Sequence, residues 1–207
     1  MPENLHKLFV ISSPSGGGKT SLINKLFEDS RSANFKKSIS DTSRQKRQGD
    51  LEGKDYYFLS EKDFKDKIKK EEYVEYATVF GNFYGTSKEE IKTKYNNSNL
   101  ILELDWQGAY AVKELFDDAK LIFLVPPSLD DLKQRLIKRN LDSSEAIESR
   151  LSEAKKEISK SEMYDYLVLN DDFDKAFEDL SQILFEGISP IDFNSRASKD
   201  LIKRLVE

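Results

Sequence analysis

The 207-residue sequence contains no cysteine and only one histidine, His6. The absence of cysteine excludes disulfides and thiolate metal sites, and it leaves no Cys-His pair for nucleophilic catalysis. His6 has no second histidine at metal-ligand spacing, and we assign it no role. No apolar run approaches the length of a membrane span, and the first residues lack the basic-then-apolar layout of a signal peptide. We therefore expect a cytoplasmic protein without a membrane partner.

Positive charge is also in short supply. The sequence has 33 Lys and Arg against 38 Asp and Glu, which gives a net charge of −5. A mildly acidic protein is a poor candidate for a general nucleic-acid binder, so we expect no nucleic-acid partner. Any anionic ligand must instead be held by cations placed close to it.

A phosphate-binding loop is predicted at residues 12–20, between an apolar run at 7–11 and a helical pattern at 21–27. Its glycines allow positive φ, so successive N–H groups turn toward an anion at the positive end of the new helix. Lys19 supplies a mobile positive charge for the β- and γ-phosphates, and the Thr20 hydroxyl is placed to bind Mg²⁺. This stretch predicts that the protein binds a ligand that contains several linked phosphates.

Ser13 occupies the position at which the full G-x-x-x-x-G-K-[ST] pattern has its first glycine. This departure leaves the chemistry intact, because residues 16–19 build most of the anion nest. A Gly/Ser-rich surface turn is the alternative interpretation. The strand before the loop, the helix after it and the Lys-Thr pair argue against that alternative.

A second cationic cluster lies in a polar segment, where Arg44, Lys46 and Arg47 precede an aromatic run at 56–58. Charge runs of this kind are usually solvated faces. Two arginine forks near tyrosine hydroxyls also form a good receptor for a second phosphate, because guanidinium binds phosphate oxygens bidentately. Short strand and helix signals with many polar residues predict that 40–95 form an inserted, mixed α/β lobe.

Apolar strand runs alternate with helical patterns, so the predicted fold class is α/β, with a parallel β-sheet core flanked by helices. We expect 1–39 and 96–187 to form this core and 188–207 to be a helical C-terminal extension. A phosphate loop plus a second cationic site predicts two phosphorylated ligands and transfer of a phosphoryl group between them. The core strands lie around Leu8, Leu100, Leu121 and Leu167.

Acidic residues follow one of these core strands. Asp105 or Glu103 is placed to approach the water shell of a bound metal. Asp105 is equally well placed to cap the next helix, and the two roles are compatible.

A helical lid is predicted around 135–150. Arg135 and Arg139 are four residues apart and share one helical face, and Arg150 follows a short polar loop.

These motifs and their order resemble guanylate kinase, one of the P-loop nucleoside monophosphate kinases, over roughly residues 7–186. The matching stretches are Pro14-Ser15-Gly16-x-Gly18-Lys19-Thr20, Ser40-x-Thr42-Ser43-Arg44-x-x-Arg47-x-Gly49, Gly53-x-Asp55-Tyr56-x-Phe58, Gly81-Asn82-x-Tyr84-Gly85-Thr86, Asp105-x-Gln107-Gly108, Pro126-Pro127-Ser128, Arg135-Leu136-x-x-Arg139 and Asn170-Asp171-Asp172.

The resemblance implies an ATP:GMP phosphotransferase of purine nucleotide metabolism, with Mg²⁺ accompanying ATP. It implies an ATP site formed by Ser13, Pro14, Ser15, Gly16, Gly17, Gly18, Lys19, Thr20 and Asn170. It implies a GMP site whose phosphate is held by Ser40, Arg44, Arg47, Tyr56 and Tyr84 and whose guanine is read by Glu75, Thr86 and Asp105. It implies catalytic roles for Lys19, Arg44, Arg135, Arg139 and Arg150. It implies that the metal is held by Thr20 and, through water, by Asp105.

The chemistry of guanine agrees with the implied readers. Guanine presents N1–H and N2–H₂ donors beside the O6 acceptor, so a carboxylate at Glu75, helped by Asp105, satisfies the donors and the Thr86 hydroxyl satisfies O6. Adenine has the opposite polarity at these atoms and would leave a buried carboxylate unpaired. We expect GMP as the acceptor, with dGMP as a second candidate.

Departures from the family pattern are modest and remove no charge that the mechanism needs. Lys46 replaces a proline, Ser43 a threonine and Asp50 a glutamate. Asn140 replaces a glycine after Arg139, where we expect it to stiffen the lid hinge.

Two alternatives stay open at this point. One is an inactive guanylate-kinase-like module that binds proteins, and the other is a related kinase with another phosphorylated acceptor, such as a ribose phosphate. The sequence leaves open a monomer or a homodimer. It also leaves open whether the tail packs on the core or on a second subunit.

Overall fold

A computed structural model gives the structure of the chain and describes residues 6–79, 81–139, 144–192 and 195–207. The strands are β1 (Leu8–Ser12), β2 (Phe35–Lys37), β3 (Asp41–Thr42), β4 (Tyr57–Phe58), β5 (Tyr73–Val79), β6 (Asn82–Ser87), β7 (Asn99–Glu103), β8 (Lys120–Val125) and β9 (Tyr166–Leu169). The α-helices are α1 (Lys19–Glu28), α2 (Glu61–Lys69), α3 (Lys88–Tyr95), α4 (Trp106–Leu115), α5 (Leu129–Arg139), α6 (Ser144–Ser159), α7 (Phe173–Ser181) and α8 (Arg196–Val206). Short 3₁₀ segments lie at Ser30–Asn34 and Ser161–Met163, and a π-helical turn follows α7 at Gln182–Glu186.

The larger sheet has five strands in the order β2-β7-β1-β8-β9. Parallel pairing joins β2 to β7, with Phe35 opposite Asn99, and β8 to β9, with Ile122 opposite Tyr166. Every residue of β1 is buried, as are all residues of β8 after Lys120. Strands covered on both faces read as continuous apolar runs, which is why the sequence identified them. The predicted α/β fold with a parallel sheet is confirmed.

A second, four-stranded sheet has the order β4-β3-β6-β5. Strands β5 and β6 form an antiparallel hairpin, and Gly81 lies beside the turn with a φ of 76°. Phe64 of α2 stacks on Tyr73 and Phe83, with ring centroids 4.6 and 5.4 Å apart, and is fully buried. This apolar contact attaches α2 to the hairpin.

A buried charged group also joins α2 to this sheet. The Asp41 carboxylate accepts hydrogen bonds from Lys67 Nζ and from the Tyr73 hydroxyl, the latter at 2.8 Å. Asp41 is only 4% exposed, so its charge is stabilised by these two donors and not by bulk water. Burial and the Asp41 carboxylate raise the pKa of Tyr73, which keeps its hydroxyl in the donating form.

Several helices begin at side-chain caps, and Ser60 and Asp105 are caps that the sequence predicts. Ser60 accepts from Asp63 N, Asp105 from Gly108 N and Ser195 from Ser198 N. The sequence left Thr86 and Ser87 open as the cap of α3. Ser87 takes that role, and Thr86 lies buried within β6.

Two elements differ from the expected bounds. The sequence pattern predicts a strand at 36–40, but the observed strand is the shorter β2, because only Phe35–Lys37 pair with β7. The pattern also predicts a long helix that reaches about Met163, but this helix, α6, ends at Ser159 and is followed by the 3₁₀ segment, in which the Ser161 side chain is fully buried.

The chain divides into two compact units. The described residues of Met1–Val10 and Asn34–Ala119 form one unit, which contains β2 to β7 and α2 to α4. Ile11–Ala33 and Lys120–Glu207 form the other, which contains α1, β8, β9 and α5 to α8. The division into core, lobe and lid stays a prediction, and the hinge residue Asn140 lies outside the described residues.

The C-terminal residues form α8, which packs within the second unit. Leu205 of α8 is 2% exposed, and Lys155 Nζ of α6 donates to the Glu207 carbonyl at 2.9 Å. The tail thus lies against the helix that carries Arg150. In the part of the chain that the structure describes, no helix is both long enough and apolar enough to cross a membrane.

Candidate active site

The phosphate loop follows β1 and leads directly into α1. Gly16 and Gly18 have φ values of 90° and 93°, and Gly17 N donates to the Pro14 carbonyl at 2.8 Å. Gly18 is the N-cap of α1 and offers no side chain to cap it. A helix that begins on a glycine loop with positive φ is the arrangement that binds phosphate through backbone N–H groups.

Close packing explains why the loop needs glycine. A Cβ on Gly17 would lie 2.9 Å from the Pro14 carbonyl oxygen and 2.9 Å from the Ser13 Cβ. A Cβ on Gly16 would lie 3.1 Å from side-chain carbons of Leu132 and Leu136 of α5. Ser13 is buried, and its hydroxyl donates to the Pro14 carbonyl at 3.2 Å, so the side chain at this unusual position is accommodated inside the loop.

Two of the predicted lid arginines reach the loop region of the second unit. Arg150 Nη1 of α6 donates to the Ser15 hydroxyl at 2.7 Å, and Arg135 Nη2 of α5 donates to the Asn170 carbonyl at 2.7 Å. Arg139 is the last residue of α5, and its side chain lies outside the described residues.

Asn170 follows β9 and contacts the loop directly. Its side chain is 4% exposed, and Nδ2 donates to the Gly17 carbonyl at 2.7 Å. The sequence placed Asn170 near ATP only through the family resemblance and did not predict this contact.

The first unit brings together the residues predicted to hold the GMP phosphate. The Tyr56 ring lies 5.7 Å from the Tyr84 ring, and the Arg44 guanidinium lies 5.4 Å from the centre of the Tyr56 ring. Ser40 Oγ is 3.2 Å from Thr86 Oγ1, which links the predicted phosphate residues to the predicted guanine residues. Arg47 is exposed at the edge of this group.

Asp50 is a residue of this group that sequence reasoning noted only as a departure. Arg44 Nη2 lies 2.9 Å from Asp50 Oδ2, and the Arg44 side chain is only 10% exposed. Asp50 Oδ2 also accepts from the Arg47 backbone N–H at 2.8 Å. That backbone hydrogen bond, with the Arg44 guanidinium, lowers the pKa of Asp50. The ion pair holds Arg44 in place. In the sequence, the location of Asp50 in a basic loop was the only indication of this ion pair.

Tyr56 is held in its neutral form. Burial, with a smaller contribution from the negative charge of Glu103, raises the pKa of Tyr56 to about 12. A neutral phenol donates a hydrogen bond, which is what a phosphate oxygen accepts.

The predicted guanine readers lie around a buried carboxylate on the first unit. Glu75 of β5 pairs with Thr86 of β6 and is 6% exposed. Its Oε1 has no hydrogen-bond partner among the described residues. Burial raises the pKa of Glu75 to about 7, and the Asp105 charge contributes in the same direction, while a hydrogen bond from the Thr86 hydroxyl opposes the rise. A buried acceptor of this kind is suited to a ligand that brings N–H donors.

The acidic residues proposed for the metal have other contacts. Glu103 forms an ion pair with Lys37 at 2.6 Å, and Asp105 Oδ1 accepts from Gly108 N at 2.9 Å as the cap of α4. Thr20 is exposed in the first turn of α1. Among the described residues, no group of three acidic or histidine side chains could hold a metal ion.

Comparison with known sequences identifies one family. The family model of guanylate kinases matches residues 5–187. The guanylate kinase of a Wolbachia species (subsp. Brugia malayi, strain TRS) is 46% identical over 184 residues, covering 88% of this chain and 93% of its own length. The guanylate kinase of Coxiella burnetii is 42% identical over 205 residues, covering 99% of this chain and 98% of its own length.

Comparison with solved structures agrees with the sequences. The crystal structure of guanylate kinase from Anaplasma phagocytophilum superimposes with a TM-score of 0.73. It is 32% identical, and the match covers 99% of this chain and 98% of that one.

Proposed function

Because the chain belongs to the guanylate kinase family, we propose that it transfers the γ-phosphoryl group of ATP to GMP and releases ADP and GDP. The observation that carries this assignment is the buried Glu75 carboxylate, whose Oε1 lacks a partner among the described residues. A kinase that phosphorylates another kind of substrate has no use for a buried hydrogen-bond acceptor beside a threonine hydroxyl.

Guanine recognition follows from the chemistry of Glu75 and Thr86. The N1–H and N2–H₂ groups of guanine donate to the carboxylate, and the Thr86 hydroxyl, which donates to Glu75 in the free protein, turns to donate to O6. Adenine would place an acceptor against the carboxylate and leave a buried charge unpaired, which costs enough to discriminate by orders of magnitude. Asp105 lends negative charge to this group while it caps α4.

The phosphate of GMP is held by the cationic and phenolic group of the same unit. Arg44 offers two parallel N–H donors, and its contacts with Asp50 and the Tyr56 ring orient the guanidinium before GMP arrives. The hydroxyl groups of Tyr56, Tyr84 and Ser40 donate hydrogen bonds to the phosphate oxygens. Arg47 adds positive charge at the edge of this group. Preorganised donors of this kind lose little entropy on binding.

The triphosphate of ATP is held by the glycine loop, whose backbone N–H groups and Lys19 neutralise the β- and γ-phosphates. A phosphate oxygen of GMP attacks the γ-phosphorus, the bond to the β-phosphate oxygen breaks, and ADP leaves with that oxygen. The chain contributes position and positive charge, with Arg135, Arg139 and Arg150 balancing the charge that spreads over the transferring group. No covalent intermediate on the protein is needed.

Mg²⁺ fits this site as a companion of ATP. Magnesium in kinases is bound mainly by phosphate oxygens and water, with one or two side chains, so a dedicated acidic cluster is not required. The exposed Thr20 hydroxyl in the first turn of α1 is suited to bind it, and Asp105 would act through water. When bound, the ion neutralises phosphate charge. A cytoplasmic location stays a prediction from the sequence.

A panel of acceptors tests the proposal. With ATP and Mg²⁺, we expect rapid ADP formation with GMP and none with AMP, UMP or ribose 5-phosphate, and dGMP is included as the second candidate acceptor. Glu75→Gln should lose GMP turnover while keeping ATP affinity. Consumption of a ribose phosphate in place of GMP, or ATP binding without any acceptor turnover, would overturn the assignment in favour of one of the two alternatives.

A further inference from the structure

We propose that Asn170 is a positioning residue that fixes the orientation of the Gly17–Gly18 peptide in the phosphate loop. This inference rests on the proposed function, because it concerns the loop that holds the phosphates of ATP. It assigns to Asn170 a role in phosphate binding that is independent of the base of the nucleotide.

Asn170 is itself firmly held. Its backbone N–H donates to the Val125 carbonyl at 2.9 Å, which extends the pairing of β8 and β9 by one step. Its side chain is 4% exposed, so the amide has little access to water and needs protein partners. The residue is therefore a fixed point on the end of the sheet and not part of a mobile turn.

The side-chain amide is directed at the backbone of the loop. Asn170 Nδ2 donates to the Gly17 carbonyl at 2.7 Å. In a trans peptide the C=O of one residue and the N–H of the next point in opposite directions. A bond that holds the Gly17 carbonyl toward Asn170 therefore points the Gly18 N–H away from Asn170, from the opposite edge of the same peptide.

Glycine makes this anchoring necessary. Gly18 has a φ of 93°, and neither Gly17 nor Gly18 has a side chain that would resist rotation of the peptide between them. A rotated peptide would present a carbonyl oxygen, and not an N–H, to the phosphates. The hydrogen bond from Asn170 stabilises the orientation in which an anion is bound.

The same contact explains why position 18 excludes a side chain. A Cβ on Gly18 would lie 2.3 Å from Asn170 Nδ2, which is far inside the contact distance. The fit between the amide and the loop thus depends on both residues.

Asn170 also supports Arg135, but through its backbone. Arg135 Nη2 donates to the Asn170 carbonyl at 2.7 Å. Side-chain substitutions at 170 therefore remove the hydrogen bond to the loop but keep the backbone carbonyl of residue 170 that accepts from Arg135. The contribution of the side chain to the loop can thus be separated from the support of Arg135.

The test compares triphosphates that differ in the base. Kinetics with ATP and UTP as donors, and binding of inorganic tripolyphosphate, are measured for the wild type, Asn170→Ala and Asn170→Asp. We expect Asn170→Ala to weaken the use of ATP, the use of UTP and the binding of tripolyphosphate by the same factor of about ten or more, as for loss of one buried hydrogen bond. Asn170→Asp should weaken them further, because a carboxylate places negative charge on the loop and offers no donor. KM for GMP should not change.

Asp171→Asn serves as the control, since Asp171 is exposed in the same turn. It should retain wild-type values for every donor. Measurement of the Gly18 amide ¹⁵N shift gives a readout that a general loss of stability would not move, and we expect it to change in Asn170→Ala and Asn170→Asp but not in Asp171→Asn.

Two results would overturn the proposal. Loss confined to ATP, with UTP and tripolyphosphate unaffected, would make Asn170 a reader of adenine. A lower melting temperature of Asn170→Ala with unchanged tripolyphosphate affinity would make Asn170 a purely structural residue. The same two measurements on Asn170→Asp check this result independently. Lack of GMP turnover by the wild type would instead refute the proposed function, while tripolyphosphate binding would still report on Asn170.

Discussion

A Cβ placed on Gly108 would lie only 2.9 Å from Oε2 of Glu75. Gly108 lies in the first turns of α4, and its N–H donates to Asp105. The absence of a side chain at 108 therefore leaves room for the carboxylate that we propose to read guanine. The sequence showed Gly108 as part of a motif but gave no reason for it.

Gly108→Ala should weaken GMP use, because the new methyl group pushes the Glu75 carboxylate away from its position. We expect KM for GMP to rise by about tenfold, the effect of misplacing one charged hydrogen-bond acceptor, with KM for ATP unchanged. Steady-state kinetics with each substrate varied in turn measure this. Tyr110→Ala, at an exposed position of the same helix, is the control, and an unchanged KM for GMP in Gly108→Ala would argue against crowding at Glu75.

The stability of the protein should depend on the ionisation of Glu75. Burial raises the pKa of Glu75 from an ordinary value of 4.5 to about 7. Between these pH values the folded protein binds more protons than the unfolded chain, so the free energy of unfolding falls as the pH rises toward 7 and stays low above it. Glu75→Gln removes the charge and should be more stable than the wild type at pH 8, by at most roughly 3 kcal/mol, but not at pH 4.5. Urea unfolding at both pH values checks the sign, and equal differences at the two would refute it.

GMP binding should respond to pH in the opposite sense. Guanine donors stabilise the ionised carboxylate, so affinity for GMP should increase as the pH rises through about 7, the pKa of Glu75. The phosphate of GMP titrates in a similar range, and Glu75→Gln provides the reference for that contribution. Titration calorimetry at several pH values should show a steeper dependence in the wild type than in the variant.

Arg44→Lys should impair GMP use although it conserves charge. Arg44 contacts Asp50, the Gln45 carbonyl and two aromatic rings, and lysine lacks both the fork and the flat surface that these contacts use. We expect KM for GMP to rise by about tenfold or more, the loss of one bidentate contact. Arg31→Lys, at an exposed arginine in the other unit, should leave both KM values unchanged. Wild-type KM for GMP in Arg44→Lys would exclude bidentate binding.

Substitution of two lysines of α1, one at a time, should separate effects on turnover from effects on the melting temperature. Lys19 is the first residue of the helix, and Lys25 pairs with Asp174 near Phe173 and Phe177. Lys19→Ala should abolish turnover with little change in melting temperature, because its charge serves the phosphates. Lys25→Ala should retain turnover and melt slightly lower. Measurable turnover in Lys19→Ala near the wild-type rate would remove Lys19 from the mechanism.

Local patterns predicted the sheet, the glycine loop and the caps of several helices because these depend on residues close in sequence. Ser60 and Asp105 were predicted as caps from their neighbours alone, and β1 and β8 from their unbroken apolar character. Contacts between distant segments were not accessible in this way. Asn170 and Gly17 are 153 residues apart, and nothing in either local pattern indicates that an amide meets a carbonyl there.

The candidate site shows the same division. Lys19 and Arg44 were predicted from motifs and Glu75 from the family resemblance, but the partners that orient them were not predicted. Asp50 was noted as a departure, and its ion pair with Arg44 depends on how the loop folds back on itself. The resemblance implied Thr86 as a guanine reader, but only the register of β5 with β6 shows that it lies directly opposite Glu75 in the hairpin.

The buried pairing of Asp41 with Lys67 and Tyr73 bears on how this chain diverges from its relatives. Loss of Lys67 would leave the Asp41 carboxylate buried with the Tyr73 hydroxyl as its remaining donor, which is costly, whereas the Lys67 side chain is 29% exposed and could turn to solvent if Asp41 were lost. An uncharged residue at position 67 should therefore be accompanied by an uncharged residue at position 41 across the lineage, while the reverse should not be required.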